Sequence, residues 1–205
     1  AICAGASTNL SVSGATGYSW SNGAGTGSSV TVSPASTTTY TVTGNTGSCV
    51  ATATVTVTVN ALPVIEASEN SQICAGESVV LTATGGASYS WNNNAGNGSS
   101  VTVVPASTTT FTVTGTAANG CTGTDGVTIV VLPLPTPAVS ISSGQLQTGT
   151  YATYQWYVNN TAIPGATAQT WNFTENGNYY VSVTDGNGCS GNYAVPSVLK
   201  VWSDE

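Results

Sequence analysis

Groups that can move protons, attack a carbonyl or hold a metal ion are scarce in this chain. Its 205 residues contain no His, one basic side chain (Lys200) and eight acids. General acid–base catalysis needs a positioned group that titrates near neutrality, and metal catalysis needs ligands gathered on one ion. The acids here are scattered, so a two-carboxylate hydrolase would have to assemble its pair from distant parts of the chain. The expectation is therefore no enzymatic activity and no cofactor. Glu66, Glu69 and Glu77 could meet around an ion or simply face solvent. Asp185, in TDGNGC, reads as a turn residue, because a calcium loop needs several alternating acids. The five cysteines (Cys3, Cys49, Cys74, Cys121 and Cys189) show no CxxC pair and have no His to complete a zinc site. Disulfides remain as their use.

A repeat organises these residues. ICAGASTNLSVSGATGYSW from Ile2 returns as ICAGESVVLTATGGASYSW from Ile73, an offset of 71 that maps Cys3 onto Cys74, Trp20 onto Trp91 and Tyr40 onto Phe111. Cys49 maps onto Cys121 after one inserted residue. A diverged third copy follows LPLPTP and carries Trp156, Tyr180 and Cys189. The expected modules are residues 1–61, 62–133 and 134–205, with proline-rich seams at 60–64 and 132–137. Proline there removes hydrogen-bond donors and favours extended backbone.

Within a repeat the period is two. SVTV, YTVTG and ATATVTVTV place Val on one face and Thr on the other, as a half-buried strand requires, and Gly, Asn and Ser clusters separate such runs. The second repeat reads as six strands, near Val64, Val79, Tyr89, Val101, Phe111 and Val127. Short strands with a Trp on the third describe a two-sheet sandwich with that Trp between the sheets. The fold class is all-β, three tandem immunoglobulin-like sandwiches.

Repeats of near-identical spacing should close near-identical loops, which pairs Cys3 with Cys49 and Cys74 with Cys121. Each bridge is worth about 3 to 4 kcal/mol in a small module and implies an oxidising compartment. Cys189 is left over, either a buried half of a lost bridge or a link to another chain. The second and third repeats have an apolar strand ahead of the repeat start, and the first does not. Either that strand has been cut off or it is supplied by another molecule; Val198–Trp202 is a conceivable donor, but the preferred reading makes it the last strand of its own module.

Partners are bounded by charge. With one basic residue the chain cannot release counterions from nucleic-acid phosphates or bind an anionic membrane surface, and no run of about 18 apolar residues could insert in a bilayer. The first residues have no signal-peptide pattern and the chain has no Met, as expected of a processed product or a piece of something longer. Module three is rich in aromatics. Trp156 and one of Tyr179 or Tyr180 are expected in its core, leaving Tyr154, Tyr157, Trp171 and Tyr193 as candidates for stacking on a polysaccharide or a protein partner. The Thr-rich strands lack the charges that usually guard sheet edges, which suits lateral packing with copies of the same chain or a glycosylated stalk.

The run ICAGxSxxLxxxG, then YSW, then SVTVxPxSTTTYTVT resembles the immunoglobulin-like and PKD-like repeats of large surface proteins from gliding, type IX-secreting bacteria. YQWYVNNTAIPGATAQTWNFTENGNYYVSVTDGNGCS resembles a second repeat class of the same proteins. The resemblance implies display or release outside the cell and a structural or adhesive role, with no catalytic residues to carry over. A carbohydrate-binding array and spacer modules of a larger secreted enzyme are the alternative readings. Two departures stand out: Phe111 has no hydroxyl for a tyrosine corner, and the third repeat lacks its first Cys.

Overall fold

The computed structural model describes residues 1–195; the conceivable donor strand Val198–Trp202 lies outside them. Every regular element among the described residues is a strand. In repeat one these are β1 (Ile2–Cys3), β2 (Thr8–Ser11), β3 (Gly17–Trp20), β4 (Gly25–Thr26), β5 (Ser29–Val32), β6 (Thr38–Thr46), β7 (Cys49–Val57) and β8 (Val59–Asn60). Repeat two contributes β9 (Glu66–Ala67), β10 (Ser71–Cys74), β11 (Val79–Thr84), β12 (Ser88–Trp91), β13 (Gly96–Asn97), β14 (Ser100–Val103), β15 (Thr109–Thr116) and β16 (Thr122–Leu132). Repeat three has β17 (Val139–Ser142), β18 (Gln145–Thr148), β19 (Thr153–Val158), β20 (Thr161–Ala162), β21 (Thr170–Asn172), β22 (Tyr179–Thr184) and β23 (Ser190–Ala194). The strand expected at Val64 begins only at Glu66, because Pro63 cannot donate to a ladder and holds its neighbours extended.

Two compact units result. The first holds residues Ala1–Ser68, Val80–Thr102 and Phe111–Val127; the second holds Glu69–Val79, Val103–Thr110 and the chain from Thr128 onward. In the first unit, the sheet β4-β3-β6-β7 faces the two-stranded sheet β2-β5. Alternation sends Trp20, Tyr40, Val42 and Val57 from one sheet against Leu10, Val30 and Val32 from the other. β1 lies parallel to β8, with Cys3 opposite Asn60. In the same unit β9 adds antiparallel to β11, and β12 pairs with β13 and β15.

In the second unit, β10 runs parallel to the C-terminal part of β16, with Cys74 opposite Leu132. Repeat three packs β20-β19-β22-β23 over β17-β18-β21, burying Trp156, Tyr179, Val181 and Val183 with Leu146. Tyr179, not Tyr180, is the core tyrosine.

Each repeat seats its Trp by the same device. The indole Nε1 of Trp20 donates to the Gly27 carbonyl at 3.0 Å, that of Trp91 to Gly98 at 3.1 Å, and that of Trp156 to Ala168 at 2.9 Å. A buried indole needs such an acceptor, so the long turns after β3, β12 and β19 are held to the core by their carbonyls. Trp156→Ala is expected to remove about 3 to 5 kcal/mol of stability, read as a lower urea midpoint with the slope preserved.

Candidate functional site

The sites that distinguish this molecule are its cysteine-closed seams. The bridges are Cys3–Cys121 and Cys74–Cys189, with Cα separations of 5.6 and 5.5 Å, and Cys49 is free and exposed. Both expected pairings, Cys3–Cys49 and Cys74–Cys121, are therefore corrected, and the unpaired thiol is Cys49 instead of Cys189. The reason is the length of a strand. Cys3 sits opposite Asn60 at one end of repeat one, whereas Cys49 starts β7 at the other end, opposite Thr46. Eleven residues of nearly continuous strand at about 3.3 Å each put them on the order of 30 Å apart, far beyond the reach of a disulfide. In repeat two, likewise, β16 separates Thr122, next to Cys121, from Leu132, the register partner of Cys74.

Each bridge instead joins the first Cys of one repeat to the second Cys of the next. The local sequence prepares the acceptor half. In repeat three, Asp185 Oδ1 accepts from the amides of Asn187 and Cys189, both at 2.9 Å, and the Asp185 amide donates to the Cys189 carbonyl. This Asx turn is the structural role of TDGNGC. In repeat two, Asn119 Oδ1 accepts from the Cys121 amide and the Ala117 amide donates to the Cys121 carbonyl. Cys121 and Cys189 are thus both held in a wide, capped turn and buried.

Two residues past each of these cysteines is a glycine, Gly123 and Gly191. A Cβ on Gly123 would lie 2.3 Å from the Pro63 carbonyl oxygen, and one on Gly191 would lie 1.9 Å from that of Pro135. Only glycine admits the seam prolines so closely. The motif Cys-x-Gly therefore marks a docking position for the incoming linker. Its signal was present in the sequence as CTG and CSG, but CVA at Cys49 masked it.

At the first seam, the Ala67 amide donates to Asp125 Oδ2 at 2.8 Å, fastening β9 to the body of repeat two. That bond, with a second from the Gly126 amide, holds the Asp125 carboxyl below its ordinary value of 3.8 against a smaller opposing effect of burial. Glu66, Glu69 and Glu77 are exposed and do not converge; Glu77 instead caps the repeat start by accepting from the Cys74 amide. Among the described residues no group of three His, Cys, Asp or Glu gathers as a metal site.

The aromatic candidates are dispersed. Tyr154, Trp171 and Tyr193 pack partly buried against the repeat-three core, and the Tyr154 hydroxyl accepts from the Tyr151 amide. Tyr157 stacks on its cross-strand neighbour Tyr180 with centroids 4.3 Å apart. The hydroxyl of Tyr18 bonds the amide and carbonyl of Ala15, and Tyr89 does the same at Gly86. A tyrosine three residues after a turn thus ties that turn to the sheet in every repeat, a device that the repeat alignment contained and sequence reasoning overlooked.

No protein family and no curated protein matches the chain. Among solved structures it is similar to Sidekick-1 immunoglobulin domains 1–4, at 12% identity and TM-score 0.36, covering 94% of this chain and 71% of that one. It is similar to the N-terminal eight Ig domains of Down Syndrome Cell Adhesion Molecule, at 14% identity and TM-score 0.42, covering 97% of this chain and 40% of that one. An I-band fragment of titin shares 10% identity at TM-score 0.39, with 94% and 92% covered.

Cys3→Ser, Cys121→Ser and the double variant should each lose the same stability, about 4 to 5 kcal/mol for a loop of this length, while Cys49→Ser is neutral. Chemical denaturation reads this; equal costs for Cys3→Ser and Cys49→Ser would restore the within-repeat pairing. Asp125 supplies stability that is present above its unfolded-state value and is lost as pH falls through its lower folded value. Asp125→Asn should therefore weaken the protein at neutral pH and flatten its acid limb below pH 3.8, measured by thermal melts across pH.

Proposed function

We propose that the chain is a non-enzymatic extracellular segment of structural or adhesive repeats, bounded at 1–61, 62–133 and 134–205, whose work is to transmit tension between its ends and to assemble with further copies into surface filaments. The observation that carries this reading is the placement of the disulfides. A bridge inside a module stabilises that module; a bridge from each repeat to the next limits how far the array can be stretched.

The shortest covalent path from end to end runs from Ala1 to Cys3, crosses to Cys121, returns along the chain to Cys74, crosses to Cys189 and continues to Glu205. Roughly a third of the residues lie on it, so most of the chain is shielded from extension. Two disulfides also need an oxidising compartment, which supports secretion or surface display. No helix of the described residues is long and apolar enough to cross a membrane. The resemblance to repeats of bacterial surface proteins supports the same setting. The sugar-binding alternative is weaker, since Tyr154, Trp171 and Tyr193 are spent on covering the repeat-three core.

Single-molecule stretching of the oxidised chain should give a fully extended length of about 240 Å, against about 700 Å after reduction. Equal lengths before and after reduction would remove the tension-bearing role.

A further inference from the structure

Tyr40 carries a hydroxyl that the fold does not use. The residue is 5% exposed in the core of repeat one, and Phe111 fills the corresponding place in repeat two at 4%. Packing therefore has no need of the oxygen. Nor does the hydrogen-bond network: the phenol groups of Tyr18, Tyr89, Tyr154 and Tyr179 each bond a backbone group, whereas that of Tyr40 makes no tyrosine-corner bond and meets no partner among the described residues. A phenol at this depth without a bond carries a cost that Phe would avoid. No described side-chain nitrogen or oxygen is sealed from solvent without a partner, so the Tyr40 hydroxyl keeps an opening to the surface.

That opening is a mostly polar cavity of about 360 Å³, with Asn22, Gly23, Thr31, Ser33, Pro34 and Tyr40 in its wall. It lies toward the Thr38 end of β6, the opposite end from Cys49, and its whole wall falls between Asn22 and Tyr40. Asn22 is anchored there by its Nδ2, which donates to the Thr39 carbonyl at 3.0 Å and leaves Oδ1 as an acceptor.

Repeat two shows which parts of this wall are particular to repeat one. The offset of 71 replaces Tyr40 by Phe111, Ser33 by Val104 and Gly23 by Asn94. The first two changes remove a hydroxyl, and the third fills space. A Cβ on Gly23 would meet nothing within 4 Å, and Asn94 keeps the same left-handed backbone, with φ of 57° against 67°. Repeat one thus has both the polar groups and the room at a place where its sister has neither.

Charge decides the class of ligand. No residue of the wall is charged, and residues 1–65 contain no Asp, Glu, Lys, Arg or His. An ionic ligand would lose hydration there with no opposite charge in the wall to pair it. The wall offers phenol and alcohol hydroxyls that both donate and accept, an amide oxygen, and the apolar ring of Pro34. Hydroxyl groups set on a C–H framework complement that set. A cavity at the small end of the range for ligand pockets, about 300 to 1,000 Å³, suits one sugar ring.

We propose that repeat one binds a neutral sugar residue in this cavity, with the Tyr40 and Ser33 hydroxyls and the Asn22 amide bonding its hydroxyl groups. The site is separate from the aromatic positions of repeat three, and it goes beyond the tension-bearing role without depending on it.

The test titrates the whole oxidised chain with glucose, galactose, mannose and N-acetylglucosamine, each read by NMR of the backbone amides. At least one of these sugars should give saturable shifts centred on Asn22, Ser33 and Tyr40. Tyr40→Phe, Ser33→Val and Gly23→Asn copy the sister repeat and so keep the fold. The first two should each weaken binding about five- to tenfold, as expected for one lost hydrogen bond, and the third should do so by filling the cavity. Tyr40→Phe should leave the melting temperature unchanged, because its hydroxyl holds nothing inside the protein. No saturable shift with any of the four sugars, or binding that survives the three substitutions together, would overturn the proposal. A lower melting temperature for Tyr40→Phe would do the same by showing an internal bond. Stronger binding of a blocked Gly-Ser-Gly peptide at the same amides would overturn it in favour of a peptide site.

Discussion

The rest of the structure depends on one constraint, the close approach of a proline carbonyl to a glycine beside a disulfide. At both seams the linker must pass within van der Waals contact of the next repeat so that the two cysteines come within bridging distance. A Cβ at Gly123 or Gly191 would push the linker away and with it the bridge. Around this contact the other seam features fall into place. The Asn119 and Asp185 turns hold the acceptor cysteine off the ladder, Ile65 fills the trough beside Gly115, and Asp125 fastens β9.

A chain with so few charges stabilises its sheets by other means. The apolar faces of β6 and β5 close over Trp20, while their outer faces carry Thr hydroxyls that bond across strands, as between Thr39 and Thr56 at 2.8 Å. Indole and phenol groups tie long turns to the sheets through backbone carbonyls and amides, which satisfies polar atoms that would otherwise be buried without partners. The strands therefore carry Thr-rich polar faces with few charges, at the cost of weak protection for sheet edges.

Much of the fold was legible in the sequence because period two and turn clusters are local signals. Alternation in SVTV and YTVTG identified β5, β6, β14 and β15, and the Trp of each repeat identified the core. Pro63 and Pro135, which the sequence places between repeats, are the residues whose carbonyls lie beside Gly123 and Gly191. Cysteine pairing was not legible, because translation by one repeat maps loops of 118 and 115 residues as consistently as pairing inside a repeat does. The deciding quantity was three-dimensional: Cys3 and Cys49 lie at opposite ends of a sandwich, and only the parallel pairing of β1 with β8 reveals it. Aromatic roles were half legible. Trp156 followed from its strand, but choosing Tyr179 over Tyr180 required the register with Val158.

The most direct test of this account is proteolysis of the unreduced protein followed by mass analysis of the linked peptides. Peptides joining Cys3 to Cys121 and Cys74 to Cys189, with Cys49 alkylated as a free thiol, are the predicted result. Peptides joining Cys3 to Cys49 and Cys74 to Cys121 would contradict it, because each repeat would then be closed on itself and the seams would lose their covalent hold.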